Sequence, residues 1–306
     1  MKYSEHAVVF GCGSERLVGI VSLPSAAQPA SPTDSERTES PAMGADGSGV
    51  VIVVGGPQYR AGSHRQFVLL ARALATSGTP VLRFDYRGMG DSSGALHTFE
   101  NVNNDIACAI NTLHTAVPGL PGVVLWGLCD GASAALLYCH ATQDTRVQGL
   151  CLLNPWVRSP ASLAKTQVKH YYTERLRQKE FWQKLLSGKV AGSAVRGLAR
   201  AVKAAFSAAP VDVSGGSDLP FQTRMALAWR RLEAPILLVL SGSDYTAKEF
   251  LEYAASDAHW SGALDQSGLV RQDLQMADHT FSDPVQRQQV ELLCAAWLGN
   301  HNIPPV

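Results

Sequence analysis

Apolar positions along this chain fall into two alternating patterns. A continuous apolar run at residues 50–54 and the segments 80–84, 122–126, 147–153, 236–240 and 268–274 read as strands. Residues 64–76 place Phe67, Leu70, Ala71 and Leu74 at helical spacing, and helices are also predicted over 99–117, 132–140 and 284–298. A strand with no polar side must be covered on both faces, so this alternation predicts a mostly parallel, doubly wound α/β sheet. Residues 6–10 and 16–23, joined by Gly-Cys-Gly-Ser, predict an antiparallel hairpin at the N-terminus. Residues 24–48 are rich in Ser, Pro, Ala, Gly and Thr and predict a flexible loop. Residues 157–231 interrupt the alternation between two core strands and predict a helical cap, which leaves 1–156 and 232–306 as the core.

Composition narrows the picture. A chain of 306 residues with 46% apolar positions can bury a sizeable core. Its 26 basic residues balance 26 acidic ones, so no overall charge draws it to nucleic acid. The balance is uneven locally. Between 158 and 203, Lys165, Lys169, Arg175, Arg177, Lys179, Lys184, Lys189, Arg196 and Arg200 face only Glu174 and Glu180. Tyr171, Tyr172, Phe181, Trp182, Leu185 and Leu186 interleave with them at roughly helical spacing. Three readings stay open: a solvated helical cap, a face that guides an anionic acyl carrier or acidic polysaccharide, or a membrane-surface helix. The 6 cysteines show no paired spacing and no histidine spacing fit for zinc, so most are expected to be reduced, buried thiols. Lys2, Glu5, Glu15 and Arg16 argue against a secretory signal, and no apolar run reaches the roughly eighteen residues of a membrane span. The expectation is a soluble cytoplasmic protein without metal or organic cofactor.

The candidate chemistry sits just after the predicted strands, where ligands gather in parallel sheets. Residues 123–133 read Val-Val-Leu-Trp-Gly-Leu-Cys-Asp-Gly-Ala-Ser: an apolar strand, a Gly-x-Cys-x-Gly turn and a helix start. This is the nucleophile-elbow pattern with cysteine in place of serine. Gly127 and Gly131 flank Cys129 because a sharp strand-to-helix turn leaves no room for side chains there. A thiol nucleophile needs a base, and the base needs an acid to orient it. His279, after the last strand, supplies the base, and Asp244, after the strand at 236–240, the acid; the order Cys129, Asp244, His279 is the one this elbow requires.

Duller roles compete. Cys129 could be another buried thiol, Asp244 a cap for the helix starting at Tyr245, and His279 one of nine histidines. Asp278 and Asp273 are rival acids, while the alternative acid position after 147–153 holds Asn154. The oxyanion donors are expected to be the backbone N–H groups of Asp130 and Gln58, because Pro57, at the usual donor position of the loop Gly55-Gly56-Pro57-Gln58, has none. The Asp130 carboxylate beside the thiol would oppose thiolate formation unless turned away or paired with Arg60, Arg65 or Arg87. In the glycine-rich turn 85–92, Arg87 and Asp91 are expected in structural ion pairs, and the turn lacks the third glycine that nucleotide binding needs.

These residues resemble the α/β-hydrolase superfamily over nearly the whole chain. Gly55-Gly56-Pro57-Gln58-Tyr59-Arg60 with Gly62-Ser63-His64-Arg65-Gln66-Phe67, Trp126-Gly127-Leu128-Cys129-Asp130, Leu240-Ser241-Gly242-Ser243-Asp244 and Asp278-His279-Thr280-Phe281-Ser282 look like the exosortase A system-associated hydrolase 1 family. That resemblance implies the α/β-hydrolase fold and a hydrolase-like role in bacteria that make an exopolysaccharide and sort proteins with a short C-terminal anchor signal. A cysteine at the elbow is also similar to dienelactone hydrolases, from whose compact form the long insertion departs. The expected function is a cysteine-nucleophile acyl hydrolase, a thioesterase or esterase acting on a small acyl substrate; acyl transfer would share its first step. The competing expectation is a catalytically weak or inactive binding or scaffolding protein on the same fold.

Overall fold

The alternation in the sequence becomes an eight-stranded sheet in the computed structural model, which describes residues 3–25, 47–56, 58–158 and 219–300. Most of the loop expected over 24–48, Pro57, and residues 159–218 of the expected cap with its basic stretch lie outside the described residues. The strands are β1 (Tyr3–Cys12), β2 (Glu15–Pro24), β3 (Gly49–Val53), β4 (Val81–Phe84), β5 (Val123–Leu128), β6 (Val147–Leu153), β7 (Ile236–Ser241) and β8 (Leu269–Leu274). Their spatial order is β1-β2-β4-β3-β5-β6-β7-β8. β1 pairs antiparallel with β2, β2 antiparallel with β4, and every other pair is parallel.

The helices are α1 (Gln66–Thr76), α2 (Asn103–Ala116), α3 (Asp130–Thr142), α4 (Phe221–Arg231), α5 (Tyr245–Ser256) and α6 (Pro284–Asn300). Every residue of β3, β4, β5 and β7 is buried, so helices cover the sheet on both faces, as the unbroken apolar runs require. α1 packs against α6, and α3 packs against α2 and α4. Trp229 of α4 stacks edge-on against Trp260, with ring centroids 5.4 Å apart, and donates its indole N–H to the Ala263 carbonyl at 2.9 Å.

Two boundaries differ from expectation for physical reasons. The helix expected from residue 64 starts at Gln66, because His64 and Arg65 adopt left-handed backbone (φ 52° and 60°) that no helix accommodates. The chain divides into two compact units, Met1–Val157 with Leu219–Val306, and Arg158–Asp218. α4, expected within the insertion, therefore belongs to the unit that holds the sheet.

All six cysteines are free: Cys12, Cys139, Cys151 and Cys294 are buried, while Cys108 and Cys129 are half-buried. The sulfurs of Cys151 and Cys294 lie 3.6 Å apart. Among the described residues, no helix is long and apolar enough to cross a membrane.

Candidate active site

β5 runs straight into α3 through a single residue. Cys129 takes φ 61° and ψ −127°, a conformation that points its side chain away from the sheet and lets Asp130 begin the helix. The flanking glycines are there for space. A β-carbon on Gly127 would lie 2.5 Å from the Gly131 carbonyl, and one on Gly131 would lie 2.4 Å from the Val53 carbonyl oxygen. The elbow is clamped from β6 as well: the Cys129 N–H donates to the Leu153 carbonyl at 2.9 Å, and the Cys129 carbonyl accepts from the Trp156 N–H at 3.3 Å. Ser133 of α3 completes the clamp by donating to the Trp156 carbonyl at 2.6 Å and accepting its N–H at 3.0 Å.

The other two candidates come from neighbouring loops. Asp244 follows β7 and His279 follows β8. The Gly242 N–H donates to the Leu274 carbonyl at 2.9 Å and the Ser243 N–H to the Ala277 carbonyl at 3.0 Å, which locks the two loops together. His279 Nδ1 lies 2.8 Å from Asp244 Oδ2. The two roles considered for Asp244 coexist, because its carboxylate also caps α5 by accepting the Thr246 N–H at 3.0 Å and the Ala247 N–H at 3.3 Å. The rival acids are engaged elsewhere. Asp278 accepts the N–H groups of Thr280 and Ser282, at 3.2 and 2.8 Å, and Asp273 pairs with Arg271 at 2.9 Å.

His279 and Cys129 line the same cavity. Asp244 and Cys129 together hold the His279 imidazolium against the cost of burial and raise its pKa to about 10. Cys129, His279 and Asp244 thus form one cluster. A cavity of about 410 Å³ opens on it, lined among the described residues by Gly55, Gln58, Phe67, Cys129, Trp156 and His279.

Asn154, at the alternative acid position, has a part the sequence reading missed. It is wholly buried; its amide donates to Ser241 Oγ at 2.9 Å and to the His279 carbonyl at 3.3 Å, while its carbonyl accepts the Ser241 N–H at 2.9 Å. It ties the ends of β6 and β7 to the backbone of His279. A buried Asn just past a strand was the only available signal.

The Asp130 carboxylate meets no arginine among the described residues. Arg60 pairs with the buried Asp85 and, at 2.6 Å, with Asp91; Arg87 pairs with Asp105 at 2.7 Å. Asp130 Oδ1 instead accepts the Gly56 N–H. Burial pushes its pKa up, against the pull of the backbone N–H groups of Gly56, Asp130 and Gly131. One expected oxyanion donor, Asp130, lines the cavity over Cys129. Gln58, the other, lines the cavity, and its backbone N–H bonds to no described residue. Its side-chain oxygen accepts the Ser63 N–H at 3.3 Å. Pro57 lies outside the described residues.

Comparison with known proteins bears on the family and the fold. A model of the family described as serine aminopeptidase, S33, matches residues 47–248. A segment of 91 residues is 36% identical to human protein ABHD12B, covering 29% of this chain and 24% of that protein, so the match spans about a quarter of that relative's length. Among solved structures, an esterase of Pyrococcus furiosus superposes with a TM-score of 0.57 at 14% identity, covering 97% of this chain and 92% of the esterase. A haloalkane dehalogenase of Agrobacterium tumefaciens does so with a TM-score of 0.55 at 17% identity, covering 96% of each chain. At such identities the likeness concerns architecture, and the architecture is the α/β-hydrolase fold.

Proposed function

This chain belongs to the serine aminopeptidase, S33 family of α/β-hydrolases, and we propose that it is a cysteine-nucleophile acyl hydrolase acting on thioesters or activated esters. The observation that carries this reading is the row Cys129–His279–Asp244: a thiol on a left-handed elbow that lines one cavity with an imidazole whose Nδ1 faces a buried carboxylate at 2.8 Å. The family's description names a serine enzyme, and a cysteine at this position alters the leaving groups that suit it. Thiolates expel alkoxides poorly and exchange readily with thioesters.

In the proposed reaction His279 already carries the proton taken from Cys129, in keeping with its raised pKa, and the sulfur attacks the acyl carbonyl carbon as thiolate. The tetrahedral oxyanion draws on the N–H groups of Gln58 and Asp130. The carbonyl re-forms as the bond to the leaving thiolate breaks, and the His279 imidazolium protonates that thiolate. Water, deprotonated by His279, then attacks the acyl-cysteine, releases the carboxylic acid and restores the Cys129 thiolate beside protonated His279. Transfer of the acyl group to a sugar or protein hydroxyl differs only in what replaces water. The likeness of five segments to the exosortase A system-associated hydrolase 1 family supports a place in exopolysaccharide-producing bacteria.

A thiol-reactive acyl analogue tests the reading. Saturable labelling at Cys129, faster than that of a free thiol in solution and slowed in His279→Ala, is expected, together with thioester hydrolysis that Cys129→Ala abolishes. Labelling no faster than a free thiol, with no acyl release, would overturn it. A second reading, an inactive binding module, is favoured by one observation: the Asp130 carboxylate, held by the Gly56 N–H, lines the same cavity as Cys129. That reading predicts neither acyl release nor fast labelling.

A further inference from the structure

Beside the cavity over Cys129 lies a larger one of about 570 Å³. The two share Gly56, Gln58 and Asp130, the residues around which the substrate carbonyl oxygen would sit. The larger cavity lies between the loop after β3 and the turn after β4. Its walls are mainly apolar or aromatic: Val54, Tyr59, Tyr86, Met89, Leu96 and Phe99. Val54 and Tyr86 are buried at its base, while Leu96 is 72% exposed at its rim.

Two acidic groups lie on this wall, and both have partners. Glu100 is paired with Arg224, and Asp130 is held by the Gly56 N–H. No lysine or arginine among the described residues lines it, and its one imidazole among them is that of His97. A carboxylate or phosphate entering here would lose its hydration and meet two acidic side chains, with no permanent cation among the described residues to receive it. An uncharged chain would exchange water for aliphatic and aromatic surface.

We propose that this cavity receives the acyl part of the substrate, and that the acyl group is an uncharged aliphatic or aromatic one, any anionic carrier remaining on the leaving-group side. The assignment rests on Cys129 as the nucleophile, since that fixes where the carbonyl sits. Met89 is the specificity-determining side chain: it lies on the glycine-rich turn 88–90 and lines the wall without belonging to the Cys129–His279–Asp244 row.

The test uses thioesters of N-acetylcysteamine whose acyl chains rise in length, each plain or ending in a carboxylate. The thiol part is lengthened in a parallel series. Acyl length is expected to raise kcat/KM by about threefold to fourfold per buried methylene until the cavity is filled. A terminal carboxylate is expected to remove that gain, and lengthening the thiol part to give none. Met89→Trp should reduce the ratio of longest to shortest acyl substrate by about tenfold, the value of roughly two buried methylenes. Met89→Ala should extend the rise to longer chains. A flat acyl series, an equal gain from carboxylate-ended chains, a gain from the thiol series alone, or a ratio that Met89→Trp leaves unmoved would each overturn the proposal.

Should no thioester be turned over, the reading of Cys129 fails by itself. The cavity is then tested by calorimetric binding of methyl ketones bearing the same chains to the unaltered protein. Affinity that climbs with plain chain length and drops in Met89→Trp supports the apolar site, and affinity indifferent to both rejects it.

Discussion

Two pairs of loops border the candidate site, and they are fastened in different ways. The loops after β7 and β8, which carry Asp244 and His279, are joined by backbone hydrogen bonds from Gly242 and Ser243, with Asn154 pinned across them. The loop after β3 and the turn after β4 are joined by side-chain charge: the buried Asp85 accepts the Arg60 N–H at 2.6 Å and pairs with its guanidinium. Backbone ties depend little on side-chain identity and fix position tightly. Charge ties fail when a single side chain is changed. The difference suits the two tasks, since proton transfer needs a fixed distance and a substrate wall needs only a shape.

The sharpest break of the first pair is His279→Ala. Thioesterase activity should fall by about 10²–10⁴-fold, the range for loss of a general base, and the urea midpoint at neutral pH should fall too, because the pairing of protonated His279 with Asp244 is lost. The matching break of the second pair is Asp85→Ala. It leaves the Arg60 guanidinium with the exposed Asp91 alone and deprives the Arg60 and Asp91 N–H groups of their acceptor, and should cost about 1–3 kcal/mol in urea unfolding. Should Asp85→Ala leave stability unchanged, the contrast between the two pairs is lost.

Asp244→Asn sharpens the comparison more gently. The amide can keep the helix cap while losing the charge, so activity should fall by about tenfold to a hundredfold and the His279 titration, followed by NMR, should move down from about 10. In the unaltered protein the sign is fixed by the raised value. The interaction of protonated His279 stabilises the fold fully below its ordinary value of 6.5 and is lost as pH rises to about 10. Activity should fall over the upper end of that range, as the imidazolium that protonates the leaving group disappears. The smallest effect is expected at Arg271→Ala, which removes an exposed ion pair to Asp273 on β8 and should alter stability by about 1 kcal/mol or less.

The fold was legible because burial on both faces writes itself as unbroken apolar runs, and the helices between them carry their stripe at i, i+3 and i+4. The site was legible in part because an elbow demands glycines at 127 and 131, and the loops after β7 and β8 each offered a suitable side chain. Other parts left no local trace. The left-handed backbone of His64 and Arg65 is imposed by the surrounding structure, not announced by residue type. Arg60, Arg65 and Arg87 were indistinguishable as partners for Asp130, because nothing in the sequence revealed that Asp85 and Asp105 already claim two of them. Asn154 looked like a failed acid, since its function is to join three segments that meet only in three dimensions.

The distribution of sulfur has a practical consequence. Cys12, Cys139, Cys151 and Cys294 are enclosed, and only Cys108 and Cys129 have part of their surface outside the core. Intact-mass counting of alkylated adducts on the native protein should therefore stop at two, with further adducts a sign of unfolding. Cys108 then provides an internal reference within each molecule, against which the rate at Cys129 is read without correction for reagent or protein concentration.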